Sequence, residues 1–167
     1  MASASPVQVP NHSANLACFE VKGRAYALEV AHVREIVRLQ EITPLPNAPA
    51  LIEGVIDLRG TVIPVLDLAR LLSQGRADES SAARVVVLEI DGLVIGLWVD
   101  AATDVMSVDV DCLEDVPGLA TDAGYDAVRS VVRREGQPPV MLLSLETLVE
   151  RVYRSADPVA VTRGGDA

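Results

Sequence analysis

Short apolar blocks alternate with turn residues along the whole chain. Runs such as residues 85–88 (VVVL) and 93–99 (LVIGLWV) are rich in β-branched side chains, which predicts strands rather than helices. The arrangement occurs twice. Residues 19–37 (FEVKGRAYALEVAHVREIV) align without a gap on residues 88–106 (LEIDGLVIGLWVDAATDVM) at an offset of 69. Glu20 meets Glu89, Gly23 meets Gly92, Leu28 meets Leu97, and Glu35-Ile36 meets Asp104-Val105. Each copy predicts a strand, a tight turn at Lys22-Gly23 or Asp91-Gly92, and a second strand. An Asp-Gly pair between apolar runs is a strong hairpin signal.

A second pair of segments repeats in the same order. Residues 54–72 (GVIDLRGTVIPVLDLARLL) match residues 130–149 (SVVRREGQPPVMLLSLETLV) at an offset of 76, rising to 77 after one inserted residue in the turn. Leu68, Leu71 and Leu72 in one copy, and Leu145, Leu148, Val149 and Val152 in the other, fall at helical spacing after the hairpin. Strands this short cannot protect both faces in an open sheet, whereas closing each half into a small barrel removes the exposed edges. The prediction is a mainly β protein of two barrel lobes, roughly residues 15–75 and 84–154, open to strand exchange between them. A few short helices, one of them C-terminal, cap the barrels, and a groove follows the seam. Residues 1–14 and 155–167, small, polar and rich in Pro or Gly, predict disordered tails. Residues 73–83 (SQGRADESSAA) predict an exposed loop between the lobes.

Composition narrows the partners. Of 167 residues, 50 % are hydrophobic but 3 % aromatic, so the core must be built from Val, Leu and Ile. The net charge of −10, with Lys22 the one lysine, disfavours nucleic acid and anionic membrane surfaces. No basic residue precedes Lys22 and residues 1–14 hold no apolar block, so no export signal is expected. The apolar runs are too short to cross a bilayer, and Cys18 and Cys112 lack CxxC spacing. These features predict a cytoplasmic protein with reduced, packed thiols.

Little in the sequence supports catalysis. His12 lies in the N-terminal tail and His32 beside Arg34 and Glu35 just after the first hairpin, where a surface or capping role is expected. No nucleophile elbow, phosphate loop or dinucleotide fingerprint occurs. Asp100, Asp104, Asp109, Asp111, Glu114 and Asp115 gather in one stretch, but the run lacks the glycine and closing glutamate of a calcium loop. It predicts a solvated acidic face, with no metal and no cofactor; a small hydrolase using two of these carboxylates is the enzymatic alternative. Arg59 in the turn Leu58-Arg59-Gly60 could offer its fork of donors to a partner's carboxylate, or pair internally with Glu35 or Asp57. Its counterpart in the repeat is Glu135, so equivalent tips carry opposite charge and could join modules head to tail.

Residues 42–49 (ITPLPNAP) followed by 54–68 (GVIDLRGTVIPVLDL) resemble the signature of the CheW family, adaptors of bacterial chemotaxis arrays. Val33-Arg34-Glu35-Ile36 is similar to that family's V-x-E-I, and residues 96–105 (GLWVDAATDV) to its G-x-x-V-D-x-x-x-x-V. The resemblance implies two SH3-like five-stranded β-barrels with a hydrophobic groove between them and no enzymatic activity. It implies two partners: the cytoplasmic tip of a chemoreceptor, and the regulatory domain of a CheA-type histidine kinase, itself CheW-like. The positions matching the family's partner-binding residues are Val33, Glu35, Gly54, Arg59 and Val105, with Gly54 and Gly60 serving close approach or a tight turn. It further implies a monomer in isolation that joins kinase-containing rings at membrane-associated receptor arrays. A CheW-like scaffold of a pilus, gliding or biofilm pathway is the alternative. The chain departs from the family pattern at Asp57 (usually Asn), Ser130 (commonly Gly), Ala101-Ala102 and Gln137-Pro138-Pro139, which points to its own partner specificity.

Overall fold

Turn chemistry sets the strand boundaries. In the computed structural model, which describes residues 13–116 and 127–155, the chain runs β1 (Ser13–Val21), β2 (Arg24–Glu29), β3 (Val33–Arg38), β4 (Ile52–Leu58), β5 (Thr61–Asp67) and α1 (Leu68–Leu71). It continues as β6 (Arg84–Ile90), β7 (Leu93–Val99), β8 (Ala101–Asp109), β9 (Leu113–Glu114), β10 (Val128–Arg134), β11 (Gln137–Leu143) and α2 (Leu145–Ser155). Lys22-Gly23, Arg59-Gly60 and Asp91-Gly92 close three two-residue hairpins with φ of 53/78°, 52/88° and 51/83°. Positive φ at both central residues makes these type I′ turns, whose twist matches that of the strands. In the fourth hairpin only Gly136 is left-handed, at φ 71°, and a register shift between Val132 and Arg134 absorbs the inserted residue.

The N-terminal strand begins earlier than the sequence suggested. Ser13 and Ala14, read as tail, pair with Asp109 and Val108 of β8, and Ser155, also read as tail, closes α2. The remainder of both expected tails lies outside the described residues.

Two sheets form, and each draws on both halves of the chain. Lobe A has the order β8-β1-β2-β11-β10-β9, and lobe B the order β3-β6-β7-β5-β4. The contiguous lobes 15–75 and 84–154 are therefore not the physical ones: hairpin β1–β2 sits with the second half, and β6–β7 with the first. This is the exchange that the sequence left open, and it makes the two sheets superposable by repeat. Pairing of Leu16 with Glu29 corresponds to Val85 with Trp98, each residue 69 further on. Arg34 is the bulged residue of β3 and Thr103 that of β8, again 69 apart. A parallel contact completes each sheet, Val65 with Gly96 in lobe B and Leu142 with Ala27 in lobe A. The barrels are not closed by continuous ladders. In lobe B the edges meet through a bridge between Thr43 and Val55, and in lobe A through β9 on β10.

The exchange explains the unbroken apolar runs. One face of each swapped hairpin lines its barrel and the other packs at the seam between lobes, so both faces are buried. On β1, Leu16 and Cys18 join Ala27, Val132, Val140 and Leu142 inside lobe A, whereas Phe19 and Val21 enter a larger cluster with Tyr26, Leu28, Val85 and Leu97. Each buried Leu or Phe contributes about 1.5–3 kcal/mol. The two interiors are unequal: lobe A's own cluster has six buried residues, two of them as small as Cys18 and Ala27.

Candidate partner-binding surfaces

Lobe B gathers four of the five predicted contact residues. Alternation along β3 leaves Val33 half-buried against the core and puts Glu35 beside the tip of the β4–β5 hairpin. There the Arg59 guanidinium donates to the Glu35 carboxylate, bridging the seam where β3 and β4 come together. The bond and charge of Glu35 raise the Arg59 pKa further above its ordinary value. Arg59 nevertheless stays exposed, so the ion pair orients the guanidinium without hiding it. Its partner is Glu35 and not Asp57, whose Oδ1 accepts the Gly60 N–H at 2.8 Å. Asp57 thus braces the turn, a task the family's usual asparagine could perform equally.

Gly54 marks a close approach. A Cβ at this buried position would lie 2.3 Å from the Thr43 carbonyl oxygen and 2.7 Å from Ile42 Cγ2. The segment 42–49, which carries part of the family signature, is tied there by two backbone hydrogen bonds of 2.9 Å between Thr43 and Val55. Gly54 therefore acts by seating that segment, and it presents no side chain to a partner. Gly60, at φ 88°, serves the turn.

Val105 stands apart, on β8 at the edge of lobe A, 62 % exposed. Its counterpart in the repeat, Ile36 on edge strand β3, is 40 % exposed. The five residues thus divide between two lobes, and the apolar edge position is present in both.

Residues 73–83 are largely exposed, as expected of a loop, but they are anchored at several points. Ala77 and Ala83 are buried, and the segment is strapped across both lobes. The buried Asp67 caps α1 through Ala69 N (2.9 Å) and Arg70 N (3.4 Å) and also accepts Ala77 N (3.0 Å). Burial raises its pKa despite these bonds. Trp98 Nε1 donates to the Asp78 carbonyl at 3.0 Å, and Gln74 Nε2 to the Tyr26 hydroxyl at 2.6 Å. Asp100 receives Asp78 N and Lys22 N, each at 2.7 Å, joining the strap of one lobe to the hairpin turn of the other. Asp100 had been read as part of a solvated acidic face. Instead it is a structural acceptor, while Asp109 bonds Asp111 N and Glu114 pairs with Arg133. The sequence set Asp100 apart from its neighbours only as the acid of the G-x-x-V-D pattern, and its role was hidden because the groups it binds are backbone N–H donors distant along the chain. Cys18 is buried as expected; Cys112 is exposed and so not packed.

Residues 15–152 match the family model described as CheW-like domain. The chain belongs to the CheW-like domain family. It is 31 % identical over 87 % of its length to the chemotaxis protein CheW of Rhizobium meliloti, covering 94 % of that protein. It is 33 % identical over 83 % of its length to the protein FrzA of Myxococcus xanthus, covering 87 % of that protein. Among solved structures, the scaffolding protein TtCheW of Thermoanaerobacter tengcongensis matches with a TM-score of 0.72 at 29 % identity, over 86 % of this chain and 93 % of that one. The two-barrel fold and the role of chemotaxis adaptor follow from this membership. Among the described residues no helix is long and apolar enough to cross a membrane.

Proposed function

We propose that this CheW-like chain couples a chemoreceptor to a CheA-type histidine kinase by holding each on a different lobe, without chemistry of its own. The observation that carries the reading is the division of the family-matched residues: Val33, Glu35, Gly54 and Arg59 on lobe B, Val105 on lobe A. A protein that joins two partners needs two surfaces held in fixed relation, and the strap through Asp67 and Asp100 supplies that rigidity. The charged, oriented tip at Arg59 suits the barrel-shaped regulatory domain of the kinase, while the exposed apolar edge at Val105 suits the helical tip of a receptor. Charge sets orientation and specificity, and apolar contact supplies most of the affinity. Coupling of this kind is typically worth about 1–3 kcal/mol, enough to bias a kinase equilibrium. The contacts are small, so the chain is a monomer alone and enters rings with the kinase at cytoplasmic receptor arrays.

FrzA, a relative not named as a chemotaxis protein, is as similar as those that are. That similarity favours a second reading, in which the same scaffold serves a pilus, gliding or biofilm pathway.

The test is reconstitution of phosphorylation from purified kinase and receptor fragments with and without this chain. Receptor control of the kinase should require the chain and be lost with either Arg59→Glu or Val105→Asp. Receptor control that is equally strong without the chain would refute the reading.

A further inference from the structure

Helix α2 follows β11 of lobe A but lies on lobe B. Leu145 and Leu148 are buried and anchor it. Nearer its C-terminal end, Val152 and Tyr153 line a slot of about 100 Å³ with Ile52 of β4, Pro64 of β5, and Leu93 and Ile95 of β7. Every side chain lining the slot is apolar apart from the Tyr153 hydroxyl. The Tyr153 ring remains 64 % exposed, so nothing among the described residues covers this side of the slot. Toward the N-terminal end of α2, a wider groove of about 330 Å³ adjoins the slot, sharing Leu93 and Tyr153 and adding Asp91, Glu146 and Glu150. Glu150 pairs with Arg154 at 3.2 Å, whereas Asp91 and Glu146 have no cationic partner among the described residues.

The chain itself continues from this point. After Ser155, which closes α2, the sequence runs ADPVAVTRGGDA over residues 156–167. Pro158 cannot prolong the helix, and an Asp-Pro pair favours a turn, so the chain can reverse beside Tyr153. In extended backbone, alternate side chains share a face, which places Val159, Val161 and Arg163 together. Their order is two small apolar groups and then a cation. Running back along α2, the surface offers an apolar slot and then a groove with three carboxylates. The spans agree as well. Residues 159 to 163 cover about 13 Å in extended form, and Tyr153 to Glu146 about 10 Å along the helix.

We infer that residues 158–163 fold back along α2, with Val159 and Val161 in the slot between the helix and lobe B and Arg163 over the acidic groove. The occupant is named by chain continuity and by the matching order of apolar and charged groups. Composition alone reads this segment as a tail, because the apolar surface it would cover belongs to Pro64, Leu93 and Ile95, distant along the chain. Burial of apolar area supplies the attraction, and the exposed ion pair fixes direction more than affinity. Neither the slot nor the groove is lined by any of the five family-matched positions, so the docked segment leaves both proposed partner surfaces open.

The experiment is nuclear magnetic resonance on the labelled full chain. The methyl groups of Val159 and Val161 should give nuclear Overhauser cross-peaks to the Tyr153 ring and to the methyl groups of Leu93 and Ile95. Heteronuclear relaxation at residues 159–163 should resemble that of α2. Val159→Asp/Val161→Asp should shift the amides of Leu93, Ile95, Val152 and Tyr153 and bring the relaxation of residues 159–163 to that of a free chain end. Ala160→Asp, on the opposite face, should do neither. Arg163→Glu should loosen the segment, with relaxation between that of wild type and that of the double variant. Absence of the cross-peaks in the wild-type chain would overturn the assignment, as would a double variant without amide shifts in the slot. An Ala160→Asp effect as large as that of the double variant, or an Arg163→Glu variant identical to wild type, would overturn the proposed face and direction. Cross-peaks that arise only between chains, in a mixture of differently labelled copies, would overturn docking within one chain.

Discussion

The two lobes share one strand order, one pattern of bulges and one pair of parallel contacts, yet they spend their side chains differently. Lobe B fills its barrel with Val87, Val94 and Leu58 and spans its mouth with Glu35 and Arg59. Lobe A holds Cys18, Ala25 and Arg134 in equivalent places and has there an open cavity lined by Glu20, Asp104 and Arg134. Backbone register therefore has to be the same in both copies, because the swapped hairpins must each fit the other half. Side chains at the barrel mouths are free to diverge, because they do not set that register. The teaching is that the fold constrains the seam and releases the rims, which is where an adaptor needs to distinguish its partners.

The largest effect should come from a position where the lobes differ in backbone contact. Gly54→Ala would place a Cβ 2.3 Å from the Thr43 carbonyl and force the signature segment off β4. We expect a loss of roughly 2–4 kcal/mol in urea unfolding, whereas Ser130→Ala, at the same place in lobe A, should change stability by less than about 0.5 kcal/mol. Equal losses at both positions would show that the close approach is not confined to lobe B.

Next in size are the two helix caps. Asp67 and Ser144 occupy equivalent positions, but Asp67 also holds the strap through Ala77 N, while Ser144 Oγ accepts within α2 alone, from Thr147 N at 3.2 Å and Thr147 Oγ1 at 3.1 Å. Asp67→Ala strands buried N–H donors and should cost about 2–3 kcal/mol. Ser144→Ala should cost about 1 kcal/mol. Thermal melts of both variants would measure the difference that the strap makes.

The same carboxyl predicts a pH dependence. Burial raises the pKa of Asp67 above its value in the unfolded chain, so between the two values the folded state binds more protons. Its contribution to stability is then fully present below the unfolded pKa and is lost as pH rises through the folded one. Measured against Asp67→Asn, the wild-type chain should gain stability as the pH is lowered from neutrality into the ordinary carboxylate range. A difference between the two proteins that is flat or falls on acidification would contradict the assignment of burial as the dominant influence.

How far the sequence reached follows from the same contrast. The repeats, the hairpin turns and α2 were legible because they rest on local signals: Gly after Lys22, Arg59 and Asp91, and apolar residues at Leu145, Leu148, Val149 and Val152. The choice of which hairpin joins which barrel was not legible, because runs such as residues 85–88 pack well in either. The strap over residues 73–83 was missed for a related reason. Its polar, small-residue composition reads as a loop, and the bonds that fix it come from Asp67, Trp98 and Asp100, brought near only by the fold. The candidate surfaces were found through motif resemblance, and the structure added their division between lobes, which no local pattern contains.

The smallest expected effect on stability and the clearest on function belong to Arg59, whose exposed pair with Glu35 contributes little to the fold. The direct measurement is a calorimetric titration of this chain with the regulatory domain of a CheA-type kinase, run for wild type, Arg59→Glu and Val105→Asp. The account predicts roughly micromolar binding that Arg59→Glu weakens by about tenfold and Val105→Asp leaves unchanged. Binding that is indifferent to Arg59→Glu, or equally weakened by both substitutions, would contradict the assignment of the two partners to separate lobes.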